Sequence, residues 1–307
     1  MKHLSGYCYN RHLLCTFFIL FLFPLTCFSQ PKNDDEVVRV NADLVVLNVA
    51  VTDDKGKHLS GLGINDFKIF EDDKPQKITT FSTEDTTFAA VILIDTSGSM
   101  ESRISLARSA AIRFLDGLRG EDYVSVYNFD SKIKRVQDFS TSRDLAPMAY
   151  KLEAKGMTVL YDAIVRASQE LSKREEKRKA IIILSDGMDT MSGATMDKAL
   201  NSAMAVDATI YAVNMSADGT GFNTDVRVTS ILKSFAEKTG GRFVATAGGP
   251  AMREAFQSIV EELGQQYTIG YQPTNFQRDG RWRTIKVEVN KPKTNARTRK
   301  GYNAPKN

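Results

Sequence analysis

The stretch Ala89-Ala90-Val91-Ile92-Leu93-Ile94-Asp95-Thr96-Ser97-Gly98-Ser99-Met100 decides the fold. Its first half is a short, unbroken apolar run, the pattern of a strand buried on both faces. Its second half turns polar and leads into a segment, 103–119, with Ile104, Ala107, Ala111, Phe114, Leu115 and Leu118 at helical spacing. A second buried run, Lys179 to Leu184, ends in the same manner, in Ser185-Asp186-Gly187. Further strands are expected at Tyr123 to Phe129, near Lys132 to Val136 as an edge, at Thr209 to Asn214 and at Arg242 to Ala245. Helices are expected near 143–154, 160–173, 196–207, 226–239 and 250–265. Strands alternating with helices predict a doubly wound, mostly parallel α/β sheet with right-handed crossovers.

On both sides of this region the texture is β only. Leu44, Val45, Val46, Leu47, Val49 and Val51 form an apolar run that ends at the turn Asp53-Asp54-Lys55-Gly56. Phe67, Ile69 and then Ile78, Thr80 flank Glu71 to Pro75 and predict a hairpin. After Gln266, Tyr267, Ile269 and Tyr271 alternate, as do Ile285, Val287 and Val289, and Arg297 to Tyr302 adds a further strand. Neither end holds enough strands to bury its own apolar face. The expectation is one β-sandwich made from residues 37–86 and 266–303, with the α/β domain, 88–265, inserted in it.

The 307 residues are 42% hydrophobic and 25% charged, ordinary globular values. The net charge of +4 is spread along the chain and forms no basic stripe, which argues against a nucleic-acid partner. The opening differs from the rest. Lys2 and Arg11 precede an apolar run from Leu13 to Phe28, and Cys27 and Ser29 put small residues at −3 and −1 of a cut after Ser29. That layout predicts a signal peptide over 1–29. The run is short for a membrane span, which needs roughly 20 residues. An uncleaved anchor, or a lipid on Cys27, is the alternative, and membrane contact is expected only through this segment. Cys8, Cys15 and Cys27 all lie inside it, so the mature chain has no thiol and no disulfide. The expected location is the periplasm, the cell envelope or the medium.

In an open α/β sheet, ligands bind outside the carboxyl ends of the strands. Asp95, Ser97 and Ser99 follow one strand and Asp186 follows another, while Thr158 sits in the loop Gly156-Met157-Thr158 between two helices. Hydroxyls, carboxylates and water are hard oxygen donors, suited to Mg²⁺, with Mn²⁺ or Ca²⁺ as alternatives. Neutral hydroxyls leave such a cation poorly neutralised, so it attracts an anionic oxygen from outside. Each piece alone has a plainer reading: Asp-x-Ser-x-Ser before a helix is commonly a capping turn, and Ser-Asp-Gly a turn. Asp189 could replace Asp186, and Asp162 could support the site or serve as a first-turn helix acid. Gly98 is read as the residue that allows a tight turn.

Enzyme classes fare poorly. No Walker A loop, no Gly-x-Gly-x-x-Gly turn after the first strand and no Gly-x-Ser-x-Gly elbow is present. Ser97 stands where a haloacid-dehalogenase-like phosphatase needs a second Asp. Once the signal is removed only His58 remains, and it is expected to be exposed beside the Lys55-Gly56-Lys57 turn. A histidine triad or zinc site is therefore not expected.

With the five residues in order, the sequence resembles the von Willebrand factor type A domain and its metal-ion-dependent adhesion site. The resemblance covers about 88–265. It implies that the hydroxyls of Ser97, Ser99 and Thr158 reach the metal, while Asp95 and Asp186 act through water. The flanks also resemble those of bacterial exported proteins related to this family, on Tyr267-Thr268-Ile269-Gly270-Tyr271 and Arg299-Lys300-Gly301-Tyr302. The resemblance implies a non-enzymatic, adhesion-type module that holds a partner protein's exposed Asp or Glu through the cation. The alternative is a structural envelope-assembly protein whose metal only stabilises the fold.

Overall fold

The computed structural model describes residues 44–83, 86–186, 188–215, 226–245 and 249–306. The expected signal peptide over 1–29, and the part of the N-terminal β region before residue 44, lie outside the described residues. No helix among the described residues is long and apolar enough to cross a membrane.

In chain order the strands are β1 (Val45–Asp53), β2 (Phe67–Glu71), β3 (Lys74–Gln76), β4 (Ile78–Ser82), β5 (Phe88–Asp95), β6 (Tyr123–Phe129) and β7 (Ile133–Ser140). They continue as β8 (Arg178–Ser185), β9 (Ala208–Asn214), β10 (Phe243–Ala245), β11 (Tyr267–Tyr271), β12 (Trp282–Val289), β13 (Thr294–Arg297) and β14 (Gly301–Asn303). The helices are α1 (Ile104–Asp116), α2 (Leu160–Leu171), α3 (Met196–Ala205), α4 (Val226–Thr239) and α5 (Gly249–Gln265).

The central sheet has the order β10-β9-β8-β5-β6-β7 and is parallel except for β7, which runs antiparallel to β6. Strand alternation explains why β5 has no polar face. Phe88, Ala90, Ile92 and Ile94 share one apolar core with Ala107, Ala111 and Phe114 of α1 and Phe256, Ile259 and Leu263 of α5. Ala89, Val91 and Leu93 point the other way, into a core with Leu160 and Ala163 of α2, Ala199 and Ala203 of α3, and Leu232 and Phe235 of α4. Both faces are covered, so a continuous apolar run is the only pattern that fits.

The remaining strands form two four-stranded sheets, ordered β13-β1-β11-β4 and β14-β12-β2-β3. Each mixes strands from before and after the α/β domain: Val45 of β1 partners Tyr271 of β11, and Ile69 of β2 partners Val287 of β12. The two sheets share one apolar cluster, which includes Leu47, Val49, Phe67, Ile69, Tyr267, Ile269 and Tyr271. Buried Glu71 accepts from the Tyr271 and Tyr302 hydroxyls at 2.8 and 2.9 Å.

Several local expectations change. The helix near 143–154 is only a short 3₁₀ turn, Pro147–Lys151. Proline disfavours a helical residue before it, and Ala146 is accordingly extended at ψ 139°. The hairpin is narrower than expected. β2 turns back into β3 at Asp72 and Asp73, both at positive φ, while β4 leaves to pair with β11. The expected strand from Arg297 to Tyr302 is interrupted, and its two ends belong to β13 and β14, in different sheets.

His58 is the clearest correction. Its side chain is only 9% exposed, with Nε2 3.9 Å from Oε2 of the fully buried Glu262 of α5. The turn that looked solvated from its lysines folds back onto the α/β domain. Glu262 also receives the Tyr211 hydroxyl at 2.7 Å and the Arg297 guanidinium. Burial holds the His58 pKa below its usual 6.5, with Glu262 opposing and Arg242 and Arg297 reinforcing that shift. The unfolded chain therefore takes up a proton near pH 6.5 that the folded chain refuses, and stability falls as pH drops below that value. The effect is at most about 1.4 kcal/mol per pH unit. In urea unfolding at pH 7.5 and 5.5, His58→Gln is expected to lose less stability on acidification than the parent. Equal losses would count against this account.

Candidate metal centre

The β5–β8 register pairs Ile94 with Leu184, so the next residues, Asp95 and Ser185, lie side by side at the carboxyl edge. Asp95 is fully buried. One of its oxygens accepts the Ser97 amide at 2.8 Å and the other accepts the Ser185 hydroxyl at 2.5 Å. The first bond folds the chain back after β5 and brings the Ser97 and Ser99 hydroxyls within 3.1 Å of each other. Ser97 is buried and Ser99 is exposed, so the pair leads from the interior to solvent.

The other two loops are tied to this one through the backbone. The Gly98 amide donates to the Gly156 carbonyl at 3.1 Å, and the Lys155 amide to the Thr96 carbonyl at 2.8 Å. The Thr158 carbonyl accepts the amides of Thr190 and Met191, each at 3.0 Å, and the Thr158 amide donates to the Thr190 hydroxyl at 2.9 Å. Thr158 is buried and Asp186 half-buried. These bonds stitch residues 95–99, 155–158 and 188–191 into one edge, with Asp95 tied to Ser185.

The glycine that matters differs from the one expected. Gly98 does not have a positive φ, and a Cβ there would meet only the Gly156 carbonyl at an ordinary 3.6 Å. Gly156 is at φ +84°, and a Cβ there would lie 2.7 Å from the Ser131 hydroxyl. The left-handed turn therefore sits in the threonine loop.

Asp189 and Asp162 take other work. Asp189 accepts the Tyr161 amide at 3.2 Å and the Ser192 hydroxyl at 2.6 Å. Asp162 accepts the amides of Gly193 and Ala194 at 2.8 and 2.9 Å. Both carboxylates clamp the start of α2 to the loop after β8, holding Thr158 and Asp186 in register. Three contributors were not singled out in the sequence. Ser185 orients Asp95, Thr190 holds Thr158, and Asn128 donates to the Thr96 hydroxyl at 3.0 Å. Only Ser185 carried a signal, its place at the end of an apolar run, and its role depends on β8 being next to β5.

Burial pushes the Asp95 carboxyl up to about 6 despite the opposing bonds from Ser185 and Ser97, and the nearby Asp186 charge adds to the rise. Among the described ion pairs, neither carboxylate has a basic side chain as partner. The Asp186 charge acting on Asp95, beside the linked Ser97 and Ser99 hydroxyls, is what a hard cation would complement. Among the described residues no group of three or more His, Cys, Asp or Glu could hold a metal, so any ion here depends on the hydroxyls.

Residues 90–188 match the family model of the von Willebrand factor type A domain. The chain carries a von Willebrand factor type A domain. The match takes in all five residues of the A domain's candidate site, Asp95, Ser97, Ser99, Thr158 and Asp186. Among curated proteins, the chain is similar to the uncharacterized protein sll0103 of Synechocystis, at 33% identity over 101 residues. That similarity covers 31% of this chain, which spans about a quarter (24%) of the relative's length. Among solved structures, BatB from Bacteroides thetaiotaomicron is similar at TM-score 0.49 and 15% identity, covering 57% of this chain and 98% of that one. The vWF domain of the type V pili tip protein Mfa5 from Porphyromonas gingivalis gives 0.48 and 15%, covering 59% and 95%. The von Willebrand factor type A structure from Catenulispora acidiphila gives 0.49 and 15%, covering 87% and 64%.

Proposed function

We propose that this protein is an exported, non-enzymatic binding module whose A domain grips a partner protein through a divalent cation. Mg²⁺ is the expected ion, with Mn²⁺ or Ca²⁺ as alternatives. The observation that supports the reading is that the loops after β5, before α2 and after β8, which carry Asp95, Ser97, Ser99, Thr158 and Asp186, are joined by hydrogen bonds. The hydroxyls of Ser97, Ser99 and Thr158 would hold the ion, and Asp95 and Asp186 would fix its waters. The chain's own contribution is orientation: Ser185 holds one Asp95 oxygen and the Ser97 amide the other. A cation held by neutral ligands keeps positive charge to spare, so the partner's ligand is an Asp or Glu side chain.

Export is inferred from the apolar N-terminal segment and from the absence of cysteine after Cys27. The test is capture from envelope extracts by the immobilised protein in Mg²⁺ and in EDTA. Partners are expected to be retained only with Mg²⁺, and to be lost with Thr158→Ala. If the same partners came down in EDTA, cation bridging would be wrong. If Mg²⁺ raised the melting temperature strongly while Thr158→Ala still captured them, the ion would be structural.

A further inference from the structure

Loops at a sheet edge ordinarily carry polar side chains, and a single exposed apolar residue there means little. Here three methionines stand exposed on two of the three loops of the candidate site: Met157 at 53%, Met188 at 48% and Met191 at 57%. Each is fixed to a site residue. Met157 immediately precedes Thr158, and its amide donates to the Ser131 hydroxyl at 3.0 Å. The Met191 amide donates to the Thr158 carbonyl at 3.0 Å. The Met188 amide lies 3.5 Å from an Asp186 carboxylate oxygen. The backbones that present these side chains are thus the ones that shape the site, and the side chains face solvent.

We infer that Met157, Met188 and Met191 form an apolar rim around the cation, and that the partner's carboxylate is flanked by an aromatic side chain. The inference rests on the cation-bridging reading above and specifies its ligand. Thioethers are unbranched and polarisable, and sulfur favours the edges of aromatic rings. The flexible stems let three side chains close around a flat ring without a preformed pocket. Charge complementarity completes the match: a cation at the centre takes the carboxylate, and the rim takes the ring beside it. A rim that closes over the ion–carboxylate bond also excludes water from it, which strengthens the bond.

The experiment uses the full chain and short synthetic peptides with a central glutamate flanked by phenylalanine or by serine, followed by fluorescence anisotropy with Mg²⁺ and with EDTA. The phenylalanine-flanked peptide is expected to bind about tenfold more tightly than the serine-flanked one, equivalent to about 1.4 kcal/mol. The combined variant Met157→Gln, Met188→Gln, Met191→Gln keeps side-chain length and is expected to erase that preference. Its Mg²⁺ affinity, measured by calorimetry with the metal alone, should stay unchanged, showing that the site is intact. Equal affinities for the two peptides in the parent protein, or a preference that survives in the variant, would overturn the rim while leaving cation bridging standing. Peptide binding that ignores EDTA, or no binding of either peptide, would sink cation bridging and the rim with it.

Discussion

Mg²⁺ affinity is expected to fall about 10–100-fold when Asp95 is replaced by asparagine, measured by calorimetry with the metal alone. Asp95 has no exposed surface, and both of its oxygens are committed, to the Ser97 amide and the Ser185 hydroxyl. Asparagine has the same shape. Its carbonyl can keep the Ser97 turn, and the Ser185 hydroxyl can rotate to accept from the amide nitrogen. What disappears is the charge. The effect on the ion can therefore be read without collapse of the loop, which Asp95→Ala would risk. The metal-free variant should be no less stable than the parent, because burial already disfavours the charged carboxyl. An asparagine variant that bound Mg²⁺ as tightly as the parent would place the cation away from Asp95.

The largest loss of stability is expected from Arg178→Met. Arg178 is fully buried at the start of β8, where it pairs in register with Phe88 at the start of β5. Its guanidinium donates to the carbonyls of Leu263 at 3.3 Å and Gly264 at 3.1 Å, and to that of Gln266. One side chain thus holds the entry of the α/β domain beside its exit and closes the open carboxyl end of α5. Methionine fills much of the volume and leaves those carbonyls without a donor, so the cost is about 3 kcal/mol or more. For a chain of this size that is roughly 5 °C in melting temperature. Mg²⁺ affinity should hardly change. Seven residue steps along the strand separate Arg178 from Ser185, about 23 Å at the usual rise. A loss below 1 kcal/mol, or a lost ion site, would contradict this role.

The order of strands and helices was legible because each buried strand is apolar throughout and each helix keeps its own spacing. The positions of the five candidate residues were legible for a related reason: they directly follow those runs or lie in a short glycine loop. What was hidden depends on neighbours in space. Ser185 becomes important only when β8 lies next to β5. His58 looked solvated because its sequence neighbours are lysines, yet it lies against Glu262, about 200 residues away. Pro147 carried its signal openly, against the helix expected near 143–154.

The pairing of β1 with β11 has a consequence for how the chain reaches its native state. Val49 must find Tyr267, and Val45 must find Tyr271, across the whole α/β domain. Closing such a loop directly is entropically unfavourable and slow. The α/β domain, built from neighbouring segments, can form first and bring its own two ends together. Until residues beyond Gln265 arrive, β1 lacks both of its neighbours and β2 has only β3 beside it. The chain that emerges from synthesis therefore passes through a stage in which its first strands are aggregation-prone, and its last strands are what makes them safe.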